Sequence, residues 1–194
     1  EKTALAEAEI EYHNHRSNTI SANVPVIKTS LVLINNFDII IWTPTPWTMP
    51  GNRAVAYGKD IDYSLIEVTN VGENSLAKIG DKIIIAKELV EDVMKEISVL
   101  SFNSSNTFKG SDFAGTILAH PLNNNGYEHE VLLLEADFVT TDQGTGFVHI
   151  APGHGADDFE LGRQNNLPIP ETVSDNGILN LSLIHISEPT RHSS

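Results

Sequence analysis

The chain contains no cysteine at all. A disulfide framework and a thiolate metal site are therefore excluded, and a reducing compartment is the expected setting. Lysine and arginine are scarce, 12 against 26 aspartates and glutamates, for a formal charge of -14. Phosphate neutralisation dominates the affinity of most nucleic-acid domains, so a broad basic field for RNA or DNA is excluded and any such contact must be local or made by another domain. Lys78, Lys82, Lys87, Lys95 and Lys109 are scattered and read as solvated surface. No apolar run approaches the length of a membrane span. The chain opens at Glu1 with neither a basic nor an apolar leader, so no secretory signal is expected and the sequence reads as an excised piece. Internal repeats and low-complexity tracts are missing too.

What is present is one domain's worth of chain, 194 residues, enough for a real core. Stretches rich in Val, Ile, Leu and aromatics, bounded by Gly, Asn, Asp or Pro, predict strands over 24–34, 37–43, 63–69, 82–86, 115–119, 130–136 and 146–150. Leu89, Val93 and Ile97 recur every four residues, widened by Val90 and Met94, and predict a helix over 88–99. A second helix is expected from Ala156 to about Asn165, and a short helix or connecting segment over 4–12. Strands outnumber helices too far for repeated crossover units, so the expected class is mainly β with a few helices (α+β), a β-barrel. Domain boundaries are set at 1–181, past the turn signal Asp175-Asn176-Gly177; residues 182–194 have neither period nor chemistry that continues the domain and read as an appended or disordered tail.

Two segments carry chemistry. Trp42-Thr43-Pro44-Thr45-Pro46-Trp47-Thr48-Met49-Pro50-Gly51-Asn52 follows Ile39-Ile40-Ile41 directly. Its prolines end the strand and stiffen the residues before them, while hydroxyls, an amide and two indoles share one corner. The second segment runs from Gly144 to Glu160: a strand with His149, a glycine-flanked His154, then Asp157 and Asp158 opening a helix. A carboxylate in that position caps the helix N-terminus, which explains Asp157, whereas Asp158 can turn toward the preceding strand. His149 alone is compatible with a satisfied barrel histidine, and the imidazoles with the two aspartates are a conceivable zinc set, although their spacing follows no strong metal motif.

Together the two segments resemble the editing motifs of bacterial isoleucyl-tRNA synthetases, the first of which usually reads Trp-Thr-Thr-Thr-Pro-Trp-Thr-x-Pro-x-Asn. The resemblance also takes in 4–12, 53–68 and 175–177. Valyl and leucyl relatives usually carry Arg-Pro where this chain has Thr45-Pro46-Trp47. The family implies an inserted β-barrel, connective polypeptide 1, that hydrolyses valine wrongly esterified to isoleucine tRNA. Such a second site is needed because one methylene is worth only about 1 to 3 kcal/mol in an apolar pocket, a limit for which isoleucyl-tRNA synthetase is itself the worked case.

By family position Asp158 would pair with the substrate's α-ammonium. Trp47 and His149 would wall a pocket that admits valine and rejects isoleucine, with Thr48 beside them. Thr43, Thr45 and Asn52 would hold the ester, the terminal ribose or the attacking water. Thr43, Thr45, Asn52, His149 and Asp158 are thus the catalytic candidates, and Trp47, Thr48, His149 and Asp158 the substrate-binding ones. No side chain stands out as a general base, so a hydroxyl of the terminal adenosine is expected to help activate the water. No metal or cofactor is expected; ATP would belong to the aminoacylation domain, whose His-x-Gly-His and Lys-Met-Ser-Lys-Ser signatures are not in this sequence. The expected partners are the mischarged acceptor end and the rest of the synthetase, for a cytoplasmic monomer without membrane contact. The alternatives are a valyl or leucyl editing domain, or a binding barrel without catalysis. The chain departs from the family at Pro44, which stands where the motif has its middle threonine and removes a hydroxyl and an N–H.

Overall fold

A computed structural model describes residues 19–174 and Ile178. The readings made for 4–12, for the turn 175–177 and for the tail 182–194 fall outside the described residues. Among the described residues nine strands form one sheet: β1 (Ile20–Lys28), β2 (Asp38–Thr43), β3 (Ala54–Tyr57), β4 (Asp62–Val71), β5 (Lys82–Ala86), β6 (Val99–Lys109), β7 (Ile117–Ala119), β8 (Glu130–Glu135) and β9 (Phe147–Ile150). The helices are α1 (Val90–Glu96) and α2 (Ala156–Gln164).

The sheet order is β1-β7-β8-β3-β9-β2-β5-β4-β6, and β1 also pairs with β2, which closes the first six strands into a barrel. Full closure leaves those strands no open edge. On the side of β2 away from β1 the sheet forks. Asp38 and Ile39 pair with β5, while Trp42 pairs with Val148 of β9. The fork decides where the chemistry lies, because Thr43 and His149 each follow one member of the Trp42–Val148 pair. β3 then runs antiparallel to β9 with Val55 opposite His149, which brings the end of the proline-rich loop to the same place.

The barrel and the adjoining strands enclose Ile39, Ile41, Ile66, Ile84, Ile85 and Leu118, all buried, around an aromatic cluster of Tyr63, Phe113 and Phe147. The Tyr63 and Phe147 rings lie 4.7 Å apart, and the Tyr63 hydroxyl donates to Gly146 O at 2.7 Å while accepting from Gly58 N at 3.1 Å. Burying each large aliphatic side chain is worth about 1.5–3 kcal/mol, so this cluster dominates the stability. A second, smaller cluster of Ala54, Ala56, Ile150 and Leu161 seats α2 against β3 and β9. Gly162 makes the fit: a Cβ there would meet Pro152 at 2.8 Å.

The class expected from sequence, mainly β with a barrel, is the one found. Two strands escaped the pattern. β3 is Ala-Val-Ala-Tyr, too small in side chains to register as a strand, and it is buried at every position. β6 contains Ser101, Asn103, Ser104, Ser105 and Asn106, residues of low strand propensity, and is held by its long ladder with β4. The first expected strand starts earlier and stops at Lys28, where Thr29 Oγ1 accepts the Leu31 N–H at 3.1 Å and turns the chain. The first helix is shorter than the apolar period suggested, because Ser98 takes a φ of 60° and Val99 already belongs to β6.

Gly146 opens β9 with a φ of +80°, and a Cβ there would sit 2.3 Å from the Ala86 Cβ. Both the backbone and the space exclude a side chain. Gly146→Ala is expected to destabilise the domain by more than about 2 kcal/mol in denaturant titrations, whereas a loss under about 0.5 kcal/mol would show that the turn relaxes freely.

Candidate functional site

The loop after β2 is organised by its own hydroxyls. Thr43 Oγ1 accepts the Thr45 N–H at 3.1 Å and lies 3.3 Å from Thr45 Oγ1, a local turn that rounds the exposed Pro44. Pro46 then begins a 3-10 turn over Pro46–Gly51, whose fixed φ suits a helical start. Thr48, buried, donates its hydroxyl hydrogen to Thr45 O at 2.8 Å. Thr45 itself stays exposed, so its oxygen is open to an incoming molecule.

That geometry settles the state of His149. Thr48 Oγ1 has spent its one hydrogen, so at 3.0 Å from Nε2 it accepts, and Nε2 carries the proton. On the other side Asn52 Nδ2 lies 2.7 Å from Nδ1 and donates to it, its second hydrogen going to Ala54 O at 3.0 Å. The imidazole is neutral and both nitrogens are engaged. Burial is the main reason that its pKa falls to about 4; the nearby His154 lowers it further, and a backbone hydrogen bond at Thr48 works the other way. With 8% of its surface exposed, His149 is a fixed, uncharged block with no lone pair to spare.

Around it stands a second group. Asp158, in the first turn of α2, points back to the strand that α2 follows, where its Oδ2 accepts the Ala151 N–H at 2.9 Å. Burial raises its pKa, outweighing the Ala151 hydrogen bond; Asp157 adds to the rise and His154 opposes it. A half-buried carboxylate with a raised pKa favours a cationic partner, which would repay the lost solvation. His154 stands edge-on to Trp47, ring centres 5.0 Å apart, and hydrogen-bonds Thr172 Oγ1. Gly51 permits that approach, since a Cβ there would meet the His154 ring at 3.2 Å. The Trp47 indole is 49% exposed.

The structure therefore gathers the residues expected from sequence into two adjoining sets. Thr43, Thr45, Thr48, Asn52 and His149 form one continuous chain of hydrogen bonds. Trp47 and Asp158 meet through His154 and Ala151. Asn52 is fully buried and its amide hydrogens are committed, which places it behind His149. Asp157 is exposed, as a capping residue should be. Among the described residues no group of three or more His, Asp or Glu side chains converges as a metal set.

Sequence reading missed a third set. Arg53, half-buried, sends one Nη1 hydrogen to Asn52 O and another to His129 Nε2, each at 2.7 Å. His129 in turn lies against His120, ring centres 4.7 Å apart, and His120 stacks on Tyr127 at 5.0 Å. Scattered single histidines give no pattern by which this set could have been found.

Comparison with known proteins bears on this arrangement. The sequence profile of the family described as "Leucyl-tRNA synthetase, editing domain" matches residues 73–187. The chain is 48% identical over 179 residues to a protein of Gluconobacter oxydans (strain 621H) named isoleucine–tRNA ligase, covering 91% of this chain and 19% of that one. It is 46% identical over 177 residues to a protein of the same name from Pelagibacter ubique (strain HTCC1062), with the same coverage of 91% and 19%. The chain thus spans about 19% of the length of these curated relatives. Among solved structures, the cytosolic leucyl-tRNA synthetase editing domain of P. knowlesi superposes with a TM-score of 0.58 at 12% identity, over 81% of this chain and 67% of that one. The P. falciparum counterpart gives 0.52 at 13%, over 70% and 50%. At such identities the likeness is one of fold, the barrel described above.

The neutral imidazole has a consequence for stability. Between the ordinary histidine pKa of 6.5 and the folded value of about 4, the unfolded chain takes up a proton at His149 that the folded chain refuses. The unfolded state binds more protons, so stability rises with pH across that window and is lost as the pH falls through it. Denaturation midpoints measured from pH 7 down to about 4 should therefore drop, and His149→Gln should flatten part of the drop. An unchanged slope in the variant would mean that His149 is already charged in the fold.

Proposed function

The chain belongs to the aminoacyl-tRNA synthetase editing-domain family, in its isoleucyl-tRNA synthetase form, and we propose that it hydrolyses the ester of valine wrongly attached to isoleucine tRNA. The observation that carries this reading is the His149 block, held rigidly between Thr48 and Asn52 at the end of a strand beside the threonine turn. A size filter must not yield. Were the imidazole free to swing, the extra methylene of isoleucine would push it aside for less than the 1 to 3 kcal/mol or so that a methylene is worth.

The remaining roles follow from position and charge. Asp158 receives the α-ammonium of the aminoacyl group, and the cation restores the solvation its carboxylate has lost. Trp47, half-exposed and braced by His154, gives the side chain an apolar wall. Thr45, with Thr43 behind it, offers hydroxyls to the ester, the terminal ribose or the attacking water. Asn52 acts one layer back, through the ring of His149.

Hydrolysis needs a placed water and stabilisation of the oxyanion that forms when it attacks. His149 cannot take the water's proton, because its only lone pair accepts from Asn52. The free hydroxyl of the terminal ribose remains as the group that orients and activates the water. Pro44 is compatible with this scheme: the turn it occupies is closed by Thr43 and the Thr45 N–H and makes no use of an N–H at position 44.

The partners in this reading are the mischarged acceptor end and the rest of the synthetase, for a monomer in the cytoplasm. Among the described residues no helix is long and apolar enough to cross a membrane. The profile that matches is named for the leucyl enzyme, so a leucyl or valyl editing domain is the second reading; Thr45-Pro46-Trp47, where those relatives usually carry Arg-Pro, weighs against it.

Deacylation assays on the purified chain test the proposal. Valyl-tRNA of the isoleucine type should be hydrolysed without added metal while isoleucyl-tRNA is spared, and Asp158→Asn should cut the rate by about tenfold or more, the loss expected for one charge-assisted contact. His149→Ala should admit isoleucine. Hydrolysis only of mischarged leucine or valine tRNAs would favour the second reading, and inertness toward every aminoacyl-tRNA would favour a binding barrel.

A further inference from the structure

Asn52 Oδ1 and His120 Nε2 are buried side-chain atoms without a protein partner. They are complementary. The Nδ1 of His120 accepts the Leu122 N–H at 3.0 Å, so the proton of this neutral ring sits on Nε2, a donor left unused. Both amide hydrogens of Asn52 are spent on Ala54 O and His149 Nδ1, so Oδ1 is a spare acceptor. The two residues share one neighbourhood. His120 packs on His129, which meets the same Arg53 nitrogen that holds Asn52 O, and His120 lies close enough to Arg53 and His149 to feel both electrostatically. The Met49 carbonyl lies near enough to His120 to act as an acceptor that opposes the fall in its pKa, while Nε2 makes no hydrogen bond of good geometry.

Buried polar groups nearly always find a partner, and an internal water typically makes about three hydrogen bonds. One water here would accept from His120 Nε2–H and donate to Asn52 Oδ1. We propose that His120 and Arg53 are positioning residues of the deacylation site and hold Asn52 from behind: Arg53 through the Asn52 carbonyl, His120 through one buried water bridging to Asn52 Oδ1. This rests on the reading of His149 as the size filter.

The hold matters because an amide has two orientations of nearly the same shape. With Nδ2 toward the ring, His149 keeps its proton on Nε2 and stays locked to Thr48. With Oδ1 toward the ring, two lone pairs would face each other unless the proton moved to Nδ1, and the Ala54 carbonyl would lose its donor. His120 and Arg53 thus act on specificity through Asn52, without contacting His149 by a hydrogen bond of their own.

Two substitutions in this chain test the proposal. His120→Phe keeps a ring against Tyr127 but removes the N–H, and Arg53→Met removes the donor to Asn52 O while keeping most of the side-chain bulk. Imidazole nitrogen–proton NMR on the parent should show His149 protonated at Nε2 only; in either folded variant the ring should become a mixture of tautomers. The ratio of isoleucyl- to valyl-tRNA deacylation should rise by about tenfold, the effect of one lost hydrogen bond. A high-resolution crystal structure of the parent should show an ordered water within reach of both His120 Nε2 and Asn52 Oδ1, and a dry, closed contact there would overturn the His120 arm. Should both variants keep the His149 tautomer and the ratio, neither residue positions the site. If the parent chain deacylates nothing, the function proposed above fails on its own, while the NMR spectra still decide whether the hold exists.

Discussion

Everything at this site hangs on the hydrogen-bonded clasp of His149 between Thr48 and Asn52. The clasp joins two stretches far apart in sequence: the loop between β2 and β3, which carries both Thr48 and Asn52, and β9, which carries His149. It exists because β9 lies between β2 and β3, with Trp42 opposite Val148 and Val55 opposite His149. A shift of one residue in either ladder would turn His149 to the other face of the sheet and undo the clasp. The aromatic cluster around Tyr63 guards that register, since its hydroxyl ties Gly146, the residue that opens β9, to Gly58 just beyond β3.

A histidine so held has exchanged reactivity for shape. Imidazoles that serve as general bases keep one nitrogen free and titrate near the working pH; this one has neither property. What remains is a neutral wall, beside a carboxylate whose raised pKa marks it as short of a cation and a threonine pair open on one side. Under the proposed function such a site recognises and orients an aminoacyl ester, and leaves the proton chemistry to water and to the substrate's own hydroxyl. The threonine turn supports this division, because Thr43, Thr45 and Thr48 spend their main-chain bonds on shaping the loop, with only Thr45 left at the surface.

Much of this could be read from the chain alone. Ile39-Ile40-Ile41 and the motif after it gave β2 and the threonine loop, and the Gly144–Glu160 stretch gave β9 and α2, because strong apolar patterning and proline or glycine punctuation are local signals. The fold class followed from the balance of strands and helices. β3 and β6 did not, since Ala54 and Ala56 owe their place to burial and the serines and asparagines of β6 owe theirs to the partner strand. Within the site, the motifs named Thr43, Thr45, Thr48, Asn52 and His149, which the structure joins by hydrogen bonds, but a sequence cannot show that Asn52 is buried with both hydrogens of its amide already taken. Arg53, His120 and His129 were invisible for a related reason, as the imidazole that meets Arg53 comes from a segment 76 residues away.

If the proposed function holds, a filter against one methylene sets a demand that accounts for the depth of this network. The pocket must present a clash costlier than the small gain that admits the substrate, and a clash is only as costly as the wall is stiff. A solvent-exposed imidazole would rotate out of the way at little expense, and a charged one would draw water into the pocket. Burial removes the charge, Thr48 and Asn52 remove the rotation, and Arg53 fixes the residue that supplies the second of those bonds. On the proposed reading the stiffness of the wall is therefore set behind His149, by Asn52 and the Arg53 that holds it, so that substitutions there would loosen the discrimination without altering the imidazole itself.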